Sequence, residues 1–152
     1  MDISSLKRKN FNAHDCFKSS TAEKKGILNI PTAYYMQKTL DNLNRSADKA
    51  QEIRSLLGVA VNITSWFRCI ELNKEVGGKE TSQHIDGEAF DFIAPRFGTA
   101  AEIVAAIKKS EIEVDQCIIE KSGKKEWVHC SIKRAKNRNQ FATLIDGVFT
   151  VI

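Results

Sequence analysis

Two histidines and an aspartate are the residues of this chain whose types could together hold a metal ion. His84 and Asp91 lie seven residues apart in one segment, and His129 lies in a later one; the sequence has three histidines in all. Two imidazoles and one carboxylate form a ligand set that binds zinc while leaving a fourth position open for water. Glu126, three residues before His129, could then act as the general base in metal-assisted hydrolysis.

A structural role for the same residues is the alternative that the spacing leaves open. A single histidine in a strand is more often a hydrogen-bonded core residue than a ligand. A buried aspartate needs a partner, because an isolated carboxylate is costly to bury. Gly87 allows a tight turn between His84 and Asp91, and the small Ala89 leaves room beside an ion.

The apolar pattern predicts the elements that must position these residues. Helical spacing predicts a long helix over residues 36–57, which Gly58 ends, and a short helix over residues 70–76. Thr99 and Glu102 form a capping box that begins a third helix. The predicted strands are residues 59–63, 89–93, 114–119, 127–132, 141–145 and 148–152. Early helices and later strands joined by hairpins indicate an α+β fold, with the candidate ligands converging from two neighbouring elements of the sheet.

Length and charge fit one soluble domain. We expect the 152 residues to form a single domain, with residues 1–15 as a loosely ordered lead. The net charge of +4 is mild, and the basic runs at residues 7–9, 121–125 and 133–138 are interpreted as solvated surface. Their functional alternative is attraction to an anionic surface such as nucleic acid or a bacterial wall. No aromatic residues are interleaved in these runs as a stacking platform requires, so we do not expect nucleic acid as a partner.

The cysteines and the lack of long apolar runs bear on the compartment. Cys16, Cys69, Cys117 and Cys130 form no close pair and are interpreted as small buried apolar residues. No apolar stretch resembles a signal peptide or a membrane span. We therefore expect a monomer that is made in the cytoplasm with reduced thiols and has no membrane partner.

The spacing also carries a family resemblance. The pattern Ser82-x-His84-x-x-Gly87-x-Ala89-x-Asp91, followed later by Glu126-x-x-His129, resembles the signature of the M15 family of zinc peptidases. Asn29-Ile30-Pro31, residues 64–68, residues 72–78 and residues 127–129 resemble the branch of that family built as one small catalytic domain. The resemblance covers roughly residues 11–131. It implies a hedgehog-like or DD-peptidase-like fold, in which a small antiparallel sheet flanked by helices carries the zinc site.

The resemblance implies a role for each matching residue. His84, Asp91 and His129 would bind Zn²⁺, and Glu126 would take a proton from the water. Residues three apart on a strand face opposite sides, and the small branch does not always keep this glutamate, so Glu120 is the alternative base. Arg68 would contact the substrate near the scissile carbonyl. Ser82 and Gln83 would line the substrate groove.

The expected function is hydrolysis of a peptide bond in the stem peptides of bacterial peptidoglycan. The bond could be the one cut by D-alanyl-D-alanine carboxypeptidases or by phage L-alanyl-D-glutamate endopeptidases. A phage-type lysis enzyme (an endolysin), acting on the cell wall after release, is the expected setting. The alternatives are a virion component that opens the wall and a catalytically silent, hedgehog-like zinc-binding module.

Overall fold

The computed structural model describes residues 3–152 and is built on a six-stranded sheet. The strands are β1 (Asn62–Ser65), β2 (Ala89–Ile93), β3 (Gln116–Ser122), β4 (Lys125–Ser131), β5 (Gln140–Ile145) and β6 (Val148–Val151). Their order across the sheet is β1-β2-β4-β3-β5-β6. β3 and β5 run parallel, whereas the other neighbouring strands within residues 3–152 are antiparallel. With the helices, this sheet confirms the predicted α+β class.

The helices lie mainly in the first two thirds of the chain. They are α1 (Ala13–Phe17), α2 (Ser20–Lys25), α3 (Met36–Leu57), α4 (Ile70–Glu75) and α5 (Ala100–Lys109), preceded by a 3₁₀ turn at Ser4–Leu6. α3 has the predicted length, and Gly58 ends it in the left-handed conformation (φ 66°). The predicted capping box of α5 is formed in both directions between Thr99 and Glu102. Within the described residues, no helix is both long and apolar enough to span a bilayer.

The hydrophobic core lies between one face of the sheet and the two longest helices. Phe90 and Phe92 of β2 pack in this core with residues of α3 and α5, including Ile53 and Ile107. Because neighbouring strand residues point to opposite faces, Asp91 between the two phenylalanines belongs to the other face. The helix-covered face therefore anchors the sheet, and the opposite face is available for chemistry.

Three apolar residues near the start of the described chain pack into the core. Leu6, Phe11 and Cys16 are buried in the core, and the Phe11 ring meets the edge of the Trp66 ring at a centroid distance of 5.9 Å. Part of the segment predicted as a loosely ordered lead (residues 1–15) is thus tied to the core; residues 1–2 lie outside the described part. The apolar residues here are spaced by five, which matches neither the helical nor the strand period, so the pattern did not reveal them.

β5 is the strand that keeps the sheet from being entirely antiparallel, because it runs parallel to its neighbour β3. β4 ends at Ser131 opposite Gln116, the first residue of β3. Residues 132–139 carry the chain past this end of β3, and Asn139 (φ 48°) donates its N–H to Val114 O. β5 then starts level with Gln116, where the two side-chain amides of Gln116 and Gln140 are hydrogen bonded. Starting at the same end of β3, β5 must run parallel to it.

Three of the four cysteines behave as the predicted buried apolar residues. Cys16, Cys117 and Cys130 are buried, and all four thiols are free. Cys69 is half-buried, and its sulfur accepts the Leu72 N–H at the start of α4.

Candidate metal centre

The sheet brings Asp91 and His129 together directly. They are cross-strand partners on β2 and β4, so their side chains project from the same face. His84 reaches the same point from the turn-rich segment between α4 and β2. The three predicted ligands form one cluster, in which each residue offers one ligand atom and all these atoms lie within 4.8 Å of one another.

The spacing of these atoms fits a tetrahedral metal ion. His84 Nε2 lies 3.2 Å from Asp91 Oδ1 and 3.3 Å from His129 Nδ1. Asp91 Oδ1 lies 2.8 Å from His129 Nδ1. Ligand atoms about 2.0–2.1 Å from a tetrahedral zinc are about 3.4 Å apart. The cluster thus has close to the separation that one ion would impose, and small movements would complete the fit.

The proton on His84 favours the same interpretation. His84 Nδ1 lies 2.6 Å from the carbonyl oxygen of Trp66, and since a carbonyl can only accept, the ring hydrogen belongs on Nδ1. In the neutral ring Nε2 then carries a lone pair, which faces the carboxylate oxygen of Asp91. Two facing acceptors repel unless a cation lies between them. A hydrogen bond from the far ring nitrogen to a backbone carbonyl also orients many metal-binding histidines.

Charge states in the cluster suit metal binding. Burial lowers the pKa of His84, which favours the neutral imidazole. Burial by itself raises the pKa of the Asp91 carboxyl, but the adjacent imidazoles of His84 and His129 outweigh it and hold that pKa well below its usual range. An ionised Asp91 and a neutral His84 can each bind a cation without first losing a proton. Burial by itself lowers the pKa of His129, but its hydrogen bond to Asp91 and the charge of that carboxylate outweigh it and raise the pKa, so a cation would have to displace any proton that His129 holds.

Arg68 lies at the edge of this cluster. Its backbone N–H donates to His84 O at 3.2 Å, and its Nη2 lies 3.9 Å from Asp91 Oδ2. The Nε atom of Arg68 is buried, with no hydrogen-bond partner among the described residues. An unpaired buried donor is costly, and the described residues supply no acceptor for this N–H.

The structure separates the two glutamates that could act as the base. Glu126 lies in β4, where it is the cross-strand partner of Lys121. Because it is three residues before His129 and side chains alternate along a strand, Glu126 projects from the opposite, helix-covered face. There its carboxylate accepts the Ala100 N–H at the start of α5 (3.1 Å) and contacts Lys121 Nζ (3.1 Å). The Ala100 hydrogen bond, followed by the Lys121 contact, lowers the pKa of Glu126. The structure therefore does not bring Glu126 to the metal ligands.

Glu120 lies on the face that carries the cluster. It pairs with Trp127, and two residues along each strand Ile118 pairs with His129, so Glu120 and His129 share a face. Burial raises the pKa of the Glu120 carboxyl, and the negative charge of Asp91 raises it further. The alternation of side chains along β4 explains why Glu120, rather than Glu126, accompanies the metal ligands.

Ser82 and Gln83 contribute to the loop that carries His84. The hydroxyl of Ser82 accepts the His84 N–H at 3.4 Å. The Gln83 amide donates to Asp115 Oδ2 (3.1 Å) and to Ile132 O (3.2 Å), so its nitrogen is turned toward the start of β3. These contacts fasten the loop at two points beside the ligand.

Trp66 contributes to the site in a way that the sequence did not reveal. Its ring is fully buried and donates to Ser46 Oγ at 2.8 Å, whereas its carbonyl oxygen holds His84. A backbone carbonyl has no sequence signal of its own. The tryptophan is a core residue whose backbone carbonyl orients the candidate ligand His84.

Comparison with known proteins agrees with the geometry. The family model described as Peptidase M15 matches residues 9–131. The chain belongs to the peptidase M15 family. No curated protein sequence matches it. The match spans every residue of the His84–Asp91–His129 cluster as well as Arg68 and Glu120, so this M15 peptidase carries its candidate metallopeptidase centre inside the family region. β5 and β6 lie beyond the match.

Proposed function

We propose that this M15 peptidase is a zinc enzyme that hydrolyses a peptide bond in the stem peptides of bacterial peptidoglycan. The observation that carries the proposal is the convergence of His84 Nε2, Asp91 Oδ1 and His129 Nδ1 at tetrahedral spacing in a chain of this family. His84, Asp91 and His129 would hold the ion. Zinc at this position supplies a Lewis acid that polarises a carbonyl group and lowers the pKa of water toward neutrality.

Glu120 is the residue that we propose as the general base. It would take a proton from the attacking water and pass it to the departing amine, which keeps the proton count balanced. The environment supports this role, because burial and the nearby Asp91 raise its pKa toward the range in which a carboxylate exchanges protons most effectively. The Glu126 carboxylate is already engaged by Ala100 and Lys121.

Arg68 would bind the oxygen that gains negative charge as the peptide bond is attacked. The supporting observations are its Nη2, which lies 3.9 Å from Asp91 Oδ2, and its Nε–H, which has no partner among the described residues. A donor fixed in advance requires no reorganisation during the reaction, and one such donor typically contributes about 3–4 kcal/mol to the stability of the transition state. A catalytically silent zinc module would need neither this arginine nor Glu120, so their placement favours the enzyme over that alternative.

We further infer that the peptidase is a lysis enzyme of the bacteriophage type. The net charge of +4 supports this setting, because a cationic protein is drawn to an anionic wall. Ser82 borders the loop of His84 and would flank the bound peptide. Gln83, whose amide already holds Asp115, would act on the groove by fixing that loop.

Digestion of purified peptidoglycan tests the proposal. The zinc-loaded protein should release new muropeptides whose masses, resolved by mass spectrometry, identify the bond that is cut. Treatment with a chelator should abolish the products, and added zinc should restore them. Unchanged muropeptides after prolonged incubation with the zinc-loaded protein would contradict the proposal, and digestion that survives chelation would contradict its metal dependence.

A further inference from the structure

The segment before α3 shows an inverted burial pattern around Asn29. Leu28 is 74% exposed and Ile30 is 37% exposed, whereas the polar side chain between them belongs to a residue that is only 7% exposed. Apolar residues normally take the inward positions. A loop that turns two aliphatic side chains outward in order to bury an amide must gain specific hydrogen bonds from that amide.

Those hydrogen bonds lie on both sides of Arg68. Asn29 Nδ2 donates to Phe67 O at 2.9 Å, and Asn29 Oδ1 accepts the Cys69 N–H at 2.8 Å. The same Nδ2 also donates to Phe17 O at 2.9 Å. One side chain therefore holds the carbonyl that precedes Arg68 and the amide that follows it.

The backbone of Arg68 itself is held from the other direction. Its N–H donates to His84 O, and the neighbouring Phe67 N–H donates to Cys16 O. With both flanking peptide groups bound to Asn29, the Cα of Arg68 has little freedom to move. The direction in which the Arg68 side chain leaves the backbone is therefore fixed before any substrate binds.

We propose that Asn29 is a positioning residue, which sets the direction of Arg68 by binding the peptide groups on both of its sides. The inference rests on the proposed role of Arg68 as a substrate contact. Asn29 does not touch the metal ligands: His84 is oriented by Trp66 O, which Asn29 does not contact in the described structure. Its loss should therefore affect the use of Arg68 more than the binding of zinc.

Kinetics of paired variants test this role. On a defined muropeptide, Asn29→Ala should lower kcat and kcat/KM together by roughly 10- to 100-fold, as expected when a reacting group is displaced by a fraction of an ångström. In an Arg68→Ala background the same change should cost less than about twofold more, since two residues acting through one interaction are not additive. Equal losses in both backgrounds would overturn the proposal, and so would an Asn29→Ala enzyme with unchanged kinetics.

A matched control separates positioning from general destabilisation. Asn44 is also a partly buried asparagine that ties a segment to α3, since its Nδ2 donates to Leu40 O and Ser5 Oγ, but it lies away from Arg68. Asn44→Ala should lower the melting temperature without altering kcat/KM. If Asn29→Ala does not fold, Asn29→Asp serves instead: it keeps an acceptor for Cys69 N–H, loses both donated bonds, and should show the same dependence on Arg68.

A measurement without catalysis keeps this test distinct from that of the proposed function. In the wild-type protein, NMR should show one resolved, slowly exchanging Nε–H signal for Arg68, because that atom is buried. Asn29→Ala should broaden it or hasten its exchange, Asn44→Ala should not, and zinc affinity from a competing chelator should stay within about twofold of wild type in both. A sharp, protected signal in Asn29→Ala would overturn the positioning role even if no peptide is cleaved, whereas an inactive wild type with the expected signals would overturn the proposed function alone.

Discussion

Two buried aspartates, one within the sheet and one at its margin, have opposite kinds of surroundings. Asp115, just before β3, accepts hydrogen bonds from Arg138 N (3.1 Å), Nε (2.8 Å) and Nη2, and from Gln83 Nε2 (3.1 Å). All of these partners are fixed donors. Asp91 instead faces two imidazoles, one of which has its proton turned away toward Trp66 O.

The difference distinguishes the structural carboxylate Asp115 from the proposed metal ligand Asp91. Asp115 has its charge compensated by the arginine and its lone pairs taken up by the protein, so it adds rigidity and has little capacity left for an ion. Asp91 directs one oxygen at a point where two ring nitrogens also converge, and its nearest cationic group, Arg68 Nη2, is 3.9 Å from its other oxygen. Burial alone does not identify a metal site. The useful sign is a set of acceptors that face one another.

The largest loss of zinc binding and activity should come from removing Asp91 or either of the two histidines that it faces. Asp91→Ala, His84→Ala and His129→Ala should each lose bound zinc and all measurable peptidase activity, because two remaining ligands do not form a catalytic zinc site. Metal content by plasma mass spectrometry and muropeptide release are the measurements. Asp115→Asn, the matched change at the other carboxylate, should keep about one zinc per chain. Full occupancy in all three ligand variants would show that the ion binds elsewhere.

The next largest effect should distinguish Glu120, on the face of the metal cluster, from Glu126, on the helix-covered face. Glu120→Gln should keep zinc and fold but lose turnover by roughly 10²–10⁴, since an amide cannot accept the proton of water. Glu126→Gln should keep nearly full turnover and lose only about 0.5–1 kcal/mol of stability, because its carboxylate caps the Ala100 N–H of α5. Steady-state kinetics and urea unfolding of both variants show which glutamate acts as the base and which one stabilises the fold. The reverse result, an active Glu120→Gln and a dead Glu126→Gln, would restore Glu126 as the base.

The register of the β3–β4 hairpin explains why the sequence alone did not decide between Glu120 and Glu126 as the base. β3 and β4 are joined by a two-residue turn that begins at Gly123 (φ 58°), which places Ser122 opposite Lys125. A register shifted by one residue would have exchanged the faces of the side chains. Side-chain alternation warned that Glu126 and His129 diverge, but only the turn geometry decides where β4 becomes regular.

Other parts of the molecule were predictable to the extent that they depend on local pattern. α3 has a helical period over its whole length and a glycine at its end, and β2 was predicted with the bounds that it has. The convergence of His84, Asp91 and His129 was predicted from residue type and family resemblance. Asn29 and the carbonyl of Trp66 could not be foreseen, because their roles depend on contacts with residues far along the chain, such as the 38-residue separation between Asn29 and Phe67.

The last expected effect concerns stability at the structural carboxylate, where no loss of zinc is expected. Burial raises the pKa of Asp115, but the hydrogen bonds and charge of Arg138 outweigh it, so the folded-state pKa lies below the usual value. A carboxyl group with a lowered folded pKa stabilises the fold at pH values above its unfolded pKa of about 4, and this contribution is lost as the pH falls through the folded pKa. At neutral pH Asp115→Asn should therefore cost about 2–3 kcal/mol, because it removes the charge that Arg138 binds.

That contribution should also be visible in the pH dependence of unfolding. Urea unfolding of the zinc-free protein between about pH 7 and pH 3 should show the gap between wild type and Asp115→Asn narrowing as the medium becomes acidic, since the protonated wild type resembles the amide. Asp48→Asn is the control: Asp48 contacts Arg8 at 2.6 Å but its side chain is 64% exposed, and exposed ion pairs contribute little, about 0–1 kcal/mol. A gap that stays constant across this range would mean that Arg138 does not stabilise the charged form of Asp115.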